Sequence, residues 1–175
     1  MRPSVKGNRS PRAARASAVT AFALACSLLA PQASLAEISI TVSGSWTEFV
    51  DYADLAGGAG TNLTGTFTSA SNAVMVTVSG TLNKTDAWEV SVKRIDTGWN
   101  PALAILARRT SNGKGQGSVS GGTNFVQVTE TDSPFFTGNG NIKDIQVQLS
   151  LTNMSLSVQP ASYMTTIQFT VIDTP

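Results

Sequence analysis

Ile145-Gln146-Val147-Gln148-Leu149-Ser150-Leu151 is the stretch whose reading decides the fold. Apolar and polar residues alternate without a break. A period of two places Ile145, Val147, Leu149 and Leu151 on one face of a strand, and Gln146, Gln148 and Ser150 on the other. Wound as a helix, the same residues would scatter their apolar groups around the axis and bury nothing. Moving outward, Val74, Val76 and Val78 alternate with Met75, Thr77 and Ser79, and Trp88, Val90 and Val92 alternate with Glu89, Ser91 and Lys93. Ile38, Ile40 and Val42 repeat the pattern near the start of the domain, Met154, Leu156 and Val158 near its end, and Tyr163 to Val171 close it. The short apolar run Ala102 to Arg109 reads as a buried strand, since it ends at once in Thr110-Ser111-Asn112-Gly113.

Turn-forming stretches separate these segments: Gly57-Gly58-Ala59-Gly60, Asn112-Gly113, Gly121-Gly122, Gly138-Asn139-Gly140 and Thr152-Asn153. About eight or nine short strands punctuated in this way predict an all-β, antiparallel sandwich with Greek-key connections. Tyr163, which enters the last strand after Pro160-Ala161-Ser162, resembles the tyrosine corner of immunoglobulin-like sandwiches, whose hydroxyl ties back to upstream backbone. The expected architecture is therefore one immunoglobulin-like domain over residues 37–175.

Residues 1–36 read differently. Arg2, Lys6, Arg9, Arg12 and Arg15 precede a mostly apolar run from Ala18 to Ala30, followed by Ser34-Leu35-Ala36. A basic segment, a short apolar core and small residues before a cut make a secretory signal peptide, with cleavage expected after Ala36. The apolar run is shorter than the roughly 20 residues a stable anchor needs, so no integral membrane segment is expected after processing. Five of the 12 Lys and Arg residues lie in this leader, and all 11 Asp and Glu residues lie beyond it. The domain thus carries a net charge of −4 although the whole chain reads +1. A dispersed acidic excess argues against nucleic acid as a partner. The expected address is secreted, periplasmic or cell-surface. Cys26, the single cysteine, falls within the leader, and the domain must hold together without disulfides.

The chain has no His. Without His, and without Cys in the domain, the usual nucleophile–base pairs and zinc or copper sites are excluded, and no cofactor or metal is expected. Glu48, Asp51 and Asp54, with Glu130 and Asp132, are the carboxylates a glycoside hydrolase would need in a facing pair; their ordinary reading is solvated loop charge, and a non-enzyme is the preferred expectation. Among the aromatics, Trp46 and Trp88 belong to alternating segments and read as core. Trp99 sits in the turn-like Asp96-Thr97-Gly98-Trp99-Asn100-Pro101. With Asn100 it suits the stacking and hydrogen bonding of a sugar; its other reading is a lid folded over one end of the sandwich. Arg108, beside Arg109, is an anionic-ligand candidate or a solvated strand end. Phe135-Phe136 suits a loop or a short edge strand.

The closing stretch Tyr163 to Pro175 (YMTTIQFTVIDTP) resembles the final strand of secreted bacterial β-sandwich subunits of the chaperone–usher pilin and spore-coat-U-like kind. That resemblance implies assembly by strand donation, and Ile38, Ile40 and Val42 would be the donor residues. The same tail is also similar to the end of WxL cell-wall-binding domains, with Trp88-Glu89-Val90 in the place of the first motif. Three functions follow as expectations: a non-catalytic structural or adhesive surface protein whose partners are its own copies or other envelope subunits, a polysaccharide- or cell-wall-binding module, and a carboxylate-dependent glycoside hydrolase. Asn62-Leu63-Thr64, Asn83-Lys84-Thr85 and Asn153-Met154-Ser155 match the N-glycosylation pattern.

Overall fold

In the computed structural model, which describes residues 37–174, the alternating segments become strands and their apolar faces meet in one interior. The expected leader, with Cys26, lies outside the described residues. In chain order the strands are β1 (Ser39–Gly44), β2 (Thr66–Thr68), β3 (Val74–Ser79), β4 (Ala87–Gly98), β5 (Ala104–Arg109), β6 (Lys114–Gly115), β7 (Val119–Gly121), β8 (Val126–Gln127), β9 (Ser133–Asn139), β10 (Ile142–Thr152) and β11 (Met164–Thr174). A single 3-10 turn, Tyr52–Asp54, interrupts the connection from β1 to β2.

Two antiparallel sheets form the sandwich. One runs β1-β3-β10-β5-β8, with β2 and β6 as short additional partners of β10; the other runs β11-β4-β9-β7. The pairing has a simple logic. β3 pairs with β10, β4 with β9, and β5 with β8. The chain therefore doubles back on itself as one long antiparallel ribbon. Rolling the ribbon places successive pairs in opposite sheets, giving an antiparallel sandwich with crossing connections between its two sheets.

β10 lies at the centre of its sheet, and Ile145, Val147, Leu149 and Leu151 are all buried, the face predicted by their alternation. Gln148 and Ser150, on its other face, are buried as well and fully hydrogen-bonded. Gln148 Nε2 donates to the Ser69 carbonyl at 2.7 Å, and Ser150 Oγ to the Phe67 carbonyl at 3.1 Å. No buried polar side-chain atom among the described residues lacks a partner, as a low-dielectric interior demands.

Eleven strands stand where eight or nine are expected, because β6, β7 and β8 are only two or three residues long. One expected strand is absent: after β10, Asn153 takes a left-handed conformation (φ 67°) and the Val158 N–H turns back to the Ser155 carbonyl at 3.0 Å. Met154, Leu156 and Val158 thus belong to a turn, and Leu156 is exposed. Phe135 and Phe136 are both buried in β9. Their consecutive burial follows from a bulge: Val90 faces Phe136 but Ser91 faces Pro134, so one extra residue is accommodated and two neighbours point inward.

The aromatic centre is built on Trp88, which is fully buried. Its ring meets Phe136 edge-on with centroids 6.2 Å apart; Phe136 lies 5.0 Å from Phe135, which lies 6.2 Å from Phe169. The indole N–H donates to the Gly140 carbonyl at 2.8 Å. This ring leaves no room for a side chain on β9 beneath it: a Cβ at Gly138 would sit 2.5 Å from Trp88 Cζ2 and 2.6 Å from the Ser118 carbonyl. Gly138→Ala is expected to lower stability by about 2 kcal/mol through overpacking, read as a lower urea midpoint with an unchanged slope.

Arg109 ends β5 with its side chain buried among oxygens rather than carboxylates. Nε donates to the Gly121 carbonyl at 2.9 Å and Nη1 to the Ser111 carbonyl at 3.1 Å and to Asn112 Oδ1. Desolvation holds its pKa below the ordinary arginine value. The guanidinium pins the loops on either side of β6 and β7, so Arg109 is no solvated strand end. Arg109→Met removes the donor that these three loop acceptors share, with an expected loss of about 2 kcal/mol, measurable by chemical denaturation.

Candidate functional site

The residues singled out from the sequence fall in separate places. Trp99 and Asn100 occupy the bend after β4, and Tyr163 immediately precedes β11, which pairs with β4. These three come together. Trp99 Nε1 donates to the Leu103 carbonyl at 3.1 Å, and the Arg94 guanidinium lies 5.9 Å from the centre of its ring. Arg94 is in turn fixed by Asp96 at 2.6 Å, and the other Asp96 oxygen accepts from Thr165 Oγ1 at 2.9 Å. Asn100 Oδ1 accepts from the Ala102 N–H at 3.0 Å, while its Nδ2 donates to the Tyr163 hydroxyl at 3.3 Å. Tyr163 donates to the Gln159 carbonyl at 2.5 Å, four residues upstream.

This is a closed circuit. The indole N–H is already used, one side of the ring carries a cation, and the half-buried ring packs against the core. Trp99 thus folds back from the bend after β4 onto the core. The donor a sugar would need from the indole is spent on the fold, and one side of the ring is taken by Arg94.

Arg108 lies apart from this cluster. It points to the opposite side of β5 from Arg109, where Nε donates to Gln148 Oε1 at 2.9 Å and the guanidinium stacks 4.6 Å from the centre of the Phe125 ring. The acidic residues are also occupied locally. Asp51 and Asp54 cap the 3-10 turn reciprocally, Asp51 Oδ1 accepting from the Ala53 N–H at 2.7 Å and Asp54 Oδ2 from the Asp51 N–H at 2.9 Å. Glu48 accepts from Trp46 Nε1 at 3.1 Å, and Asp132 pairs with Lys93 at 2.9 Å. No group of three or more Asp or Glu residues able to hold a metal occurs among the described residues.

Ile38, Ile40 and Val42 lie in or beside β1, an edge strand paired with β3 from Ser39↔Ser79 to Gly44↔Val74. Ile38 and Ile40 are half-buried, and Val42, opposite the buried Val76, is 40% exposed. No helix of the described residues is long and apolar enough to cross a membrane.

Two concavities on the surface of the described residues are not announced by the sequence. One, of about 170 Å³, is formed by Glu89, Ser120, Gly121, Pro134, Phe135, Phe136 and Thr137. The other, of about 300 Å³, is walled by Lys84, Lys114 and Lys143 together with Asn83, Gln116 and Asn141. None of Glu48, Asp51, Asp54, Glu130 or Asp132 lines either. The three lysines are far apart in sequence, and only the pairing of β6 with β10 brings two of them together.

No family model, no curated protein and no solved structure matches this chain. The geometry alone must therefore carry any functional reading. Trp99→Ala is expected to lower stability by about 2 kcal/mol, because the half-buried ring and its hydrogen bond are lost together. A thermal melt of the variant beside the unaltered protein measures it.

Proposed function

We propose that this protein is a non-catalytic, secreted structural or adhesive subunit of the cell envelope, and that copies associate by exchanging β1. The observation that carries the reading is the way β1 is held. It is an edge strand, its ladder runs to β3 alone, and none of its residues belongs to the fully buried core, which begins at Phe67. A long connection, residues 45–65, separates it from β2; its regular structure is the 3-10 turn and one bridge, Leu55 with Leu63, and Trp46 and Val50 rest against the core.

An N-terminal strand on a long tether, with few buried side chains to extract, exchanges at low energetic cost, because the swapped copy remakes the same ladder. The receiving edge is well prepared. Val76 and Val78 of β3 are fully buried and stand directly opposite Val42 and Ile40 of β1, so a vacant edge would open the flank of that apolar face to a neighbour's strand. The resemblance of the closing stretch to strand-donating subunits agrees with this reading. So does the leader, whose composition suits export and whose cleavage after Ala36 would free the strand's N-terminal end.

The exchange has a direct test. Ser39 and Ser79 face each other across the β1–β3 ladder, with their Oγ atoms 3.0 Å apart, a separation that suits a disulfide after substitution. In the otherwise cysteine-free processed domain, Ser39→Cys with Ser79→Cys is expected to yield a ladder of covalent oligomers on non-reducing electrophoresis of envelope material. A monomer band alone, with the cysteines fully oxidised, would refute exchange.

A further inference from the structure

Seven cations lie in the described residues, and four of them are accounted for by the fold. Lys93 pairs with Asp132, Arg94 with Asp96, Arg108 stacks on Phe125, and Arg109 is buried among carbonyls. The remaining three, Lys84, Lys114 and Lys143, all line the same cleft of about 300 Å³, and none has a salt-bridge partner among the described residues. In a domain of net charge −4, chance would scatter these charges among acids.

Their placement is also costly. Lys114 and Lys143 are directly opposite each other in the β6–β10 ladder. Like charges in that relation destabilise a sheet. β6 contributes no other side chain, because Gly113 and Gly115 flank Lys114. A Cβ at Gly115 would run into the Asn141 carbonyl and come within 2.8 Å of Ile142 Cδ1, so β6 can lie this close to β10 only as glycine. On the other strand a bulge follows Lys143: the register against β3 shifts between Ile142 and Ile145, and Asp144 adopts φ 57°. Bulges re-aim side chains and concentrate next to binding sites.

The neutral groups of the cleft are oriented to donate. Asn141 Oδ1 accepts from both the Thr81 N–H at 3.1 Å and Thr81 Oγ1 at 2.9 Å, and Asn83 Oδ1 accepts from the Thr85 N–H at 2.8 Å and from Thr85 Oγ1 at 2.5 Å. With both amide oxygens engaged by backbone N–H groups, each amide leaves its NH2 end uncommitted. The Asp86 carboxylate accepts from the Leu82 N–H at 2.8 Å and does not line the cleft. The Gly140 N–H donates to the Asp86 carbonyl at 2.9 Å, which holds the loop bearing Asn83 and Lys84 against the β9–β10 corner.

From this convergence we infer that the cleft formed by Lys84, Lys114, Lys143, Asn83 and Asn141 binds an anionic sugar unit, a saccharide residue carrying a phosphate or carboxylate group. Lysines are point-charge binders of such oxyanions, and the amide NH2 groups and Gln116 suit the adjoining hydroxyls. The cleft is the size of one sugar residue, not a track for an extended polyanion. The inference goes beyond strand exchange and does not depend on it, since β1 contributes no residue to the cleft.

The test is titration of the isotopically labelled domain with glucose 6-phosphate, glucuronate, glucose and inorganic phosphate, followed by amide shifts of Thr81, Gly115 and Asn141. Saturable shifts with glucose 6-phosphate or glucuronate are expected, and the tighter of the two identifies the charged group. Glucose binding equally well, inorganic phosphate binding as tightly as either sugar, or no saturable shift with any probe would overturn the assignment. Lys114→Gln and Lys143→Gln should each weaken binding about tenfold, yet raise the melting temperature of the free domain by about 2 °C by relieving the cross-strand repulsion. Unchanged affinity in both variants would also overturn the assignment. A melting temperature that falls would mean that the pair serves the fold rather than a ligand, with the same consequence.

Discussion

The fold depends on the approach of the Trp88 indole to the backbone of β9. The largest side chain of the core lies on a strand whose neighbour has no Cβ at Gly138, and its one polar group is satisfied by the Gly140 carbonyl. Three elements are thereby fixed at once: β4, β9 and the turn that launches β10. The β9 bulge then places Phe135 and Phe136 on the same side as this ring, and Phe169 of β11 completes the cluster. A disulfide-free sandwich must draw its stability from burial, at roughly 25 cal/mol per Å² of apolar surface. An aromatic cluster spanning β4, β9 and β11 is the densest way to do so.

Arg109 is the counterpart at the closed end of the ribbon. An unpaired buried guanidinium is expensive unless its donors meet fixed acceptors. Here the acceptors are main-chain carbonyls and one amide from segments with almost no regular structure. β6 and β7 are too short to hold themselves in place, so the charge supplies the order that hydrophobic alternation cannot.

That difference marks what was legible in the sequence. The long strands β3, β4, β10 and β11 alternate over enough residues for the period to be unmistakable, and the two-sheet sandwich follows from them. The segment Met154 to Val158 alternates too, but has no neighbour to pair with once Asn153 turns the chain, so a local pattern lost to topology. Phe135-Phe136 hid its burial because a bulge breaks the period it would be recognised by. Arg108 and Arg109, adjacent and chemically identical, face opposite ways on β5, one to a ring and the other to carbonyls. Trp99 is folded back because its indole N–H and ring are both claimed by neighbours, a fact held in the positions of Leu103 and Arg94 rather than in the turn-like string around it. The lysine cleft was out of reach for a simpler reason. Residues 84, 114 and 143 share no local motif, and their meeting is a consequence of how β6 lies on β10.

The edge strand proposed to exchange and the lysine cleft occupy separate parts of the fold. Every residue of the lysine cleft lies between 81 and 143, within the body that remains when β1 is removed. Every hydrogen bond lost on exchange lies along the β1–β3 ladder. In the proposed exchange an identical strand would return to an identical register, and no residue lining the cleft would be replaced. Ligand and assembly would then couple only if one shifted the other's equilibrium through differential contacts, and no side chain is shared between the two sites to supply them. If both proposals hold, each copy presents one such cleft along the assembly it joins. Its avidity for a repeating anionic polymer would grow with the number of linked copies rather than with the strength of each cleft. Weak individual sites made of exposed lysines, which single-copy affinity would render ineffective, are the form of recognition that such an assembly makes sufficient.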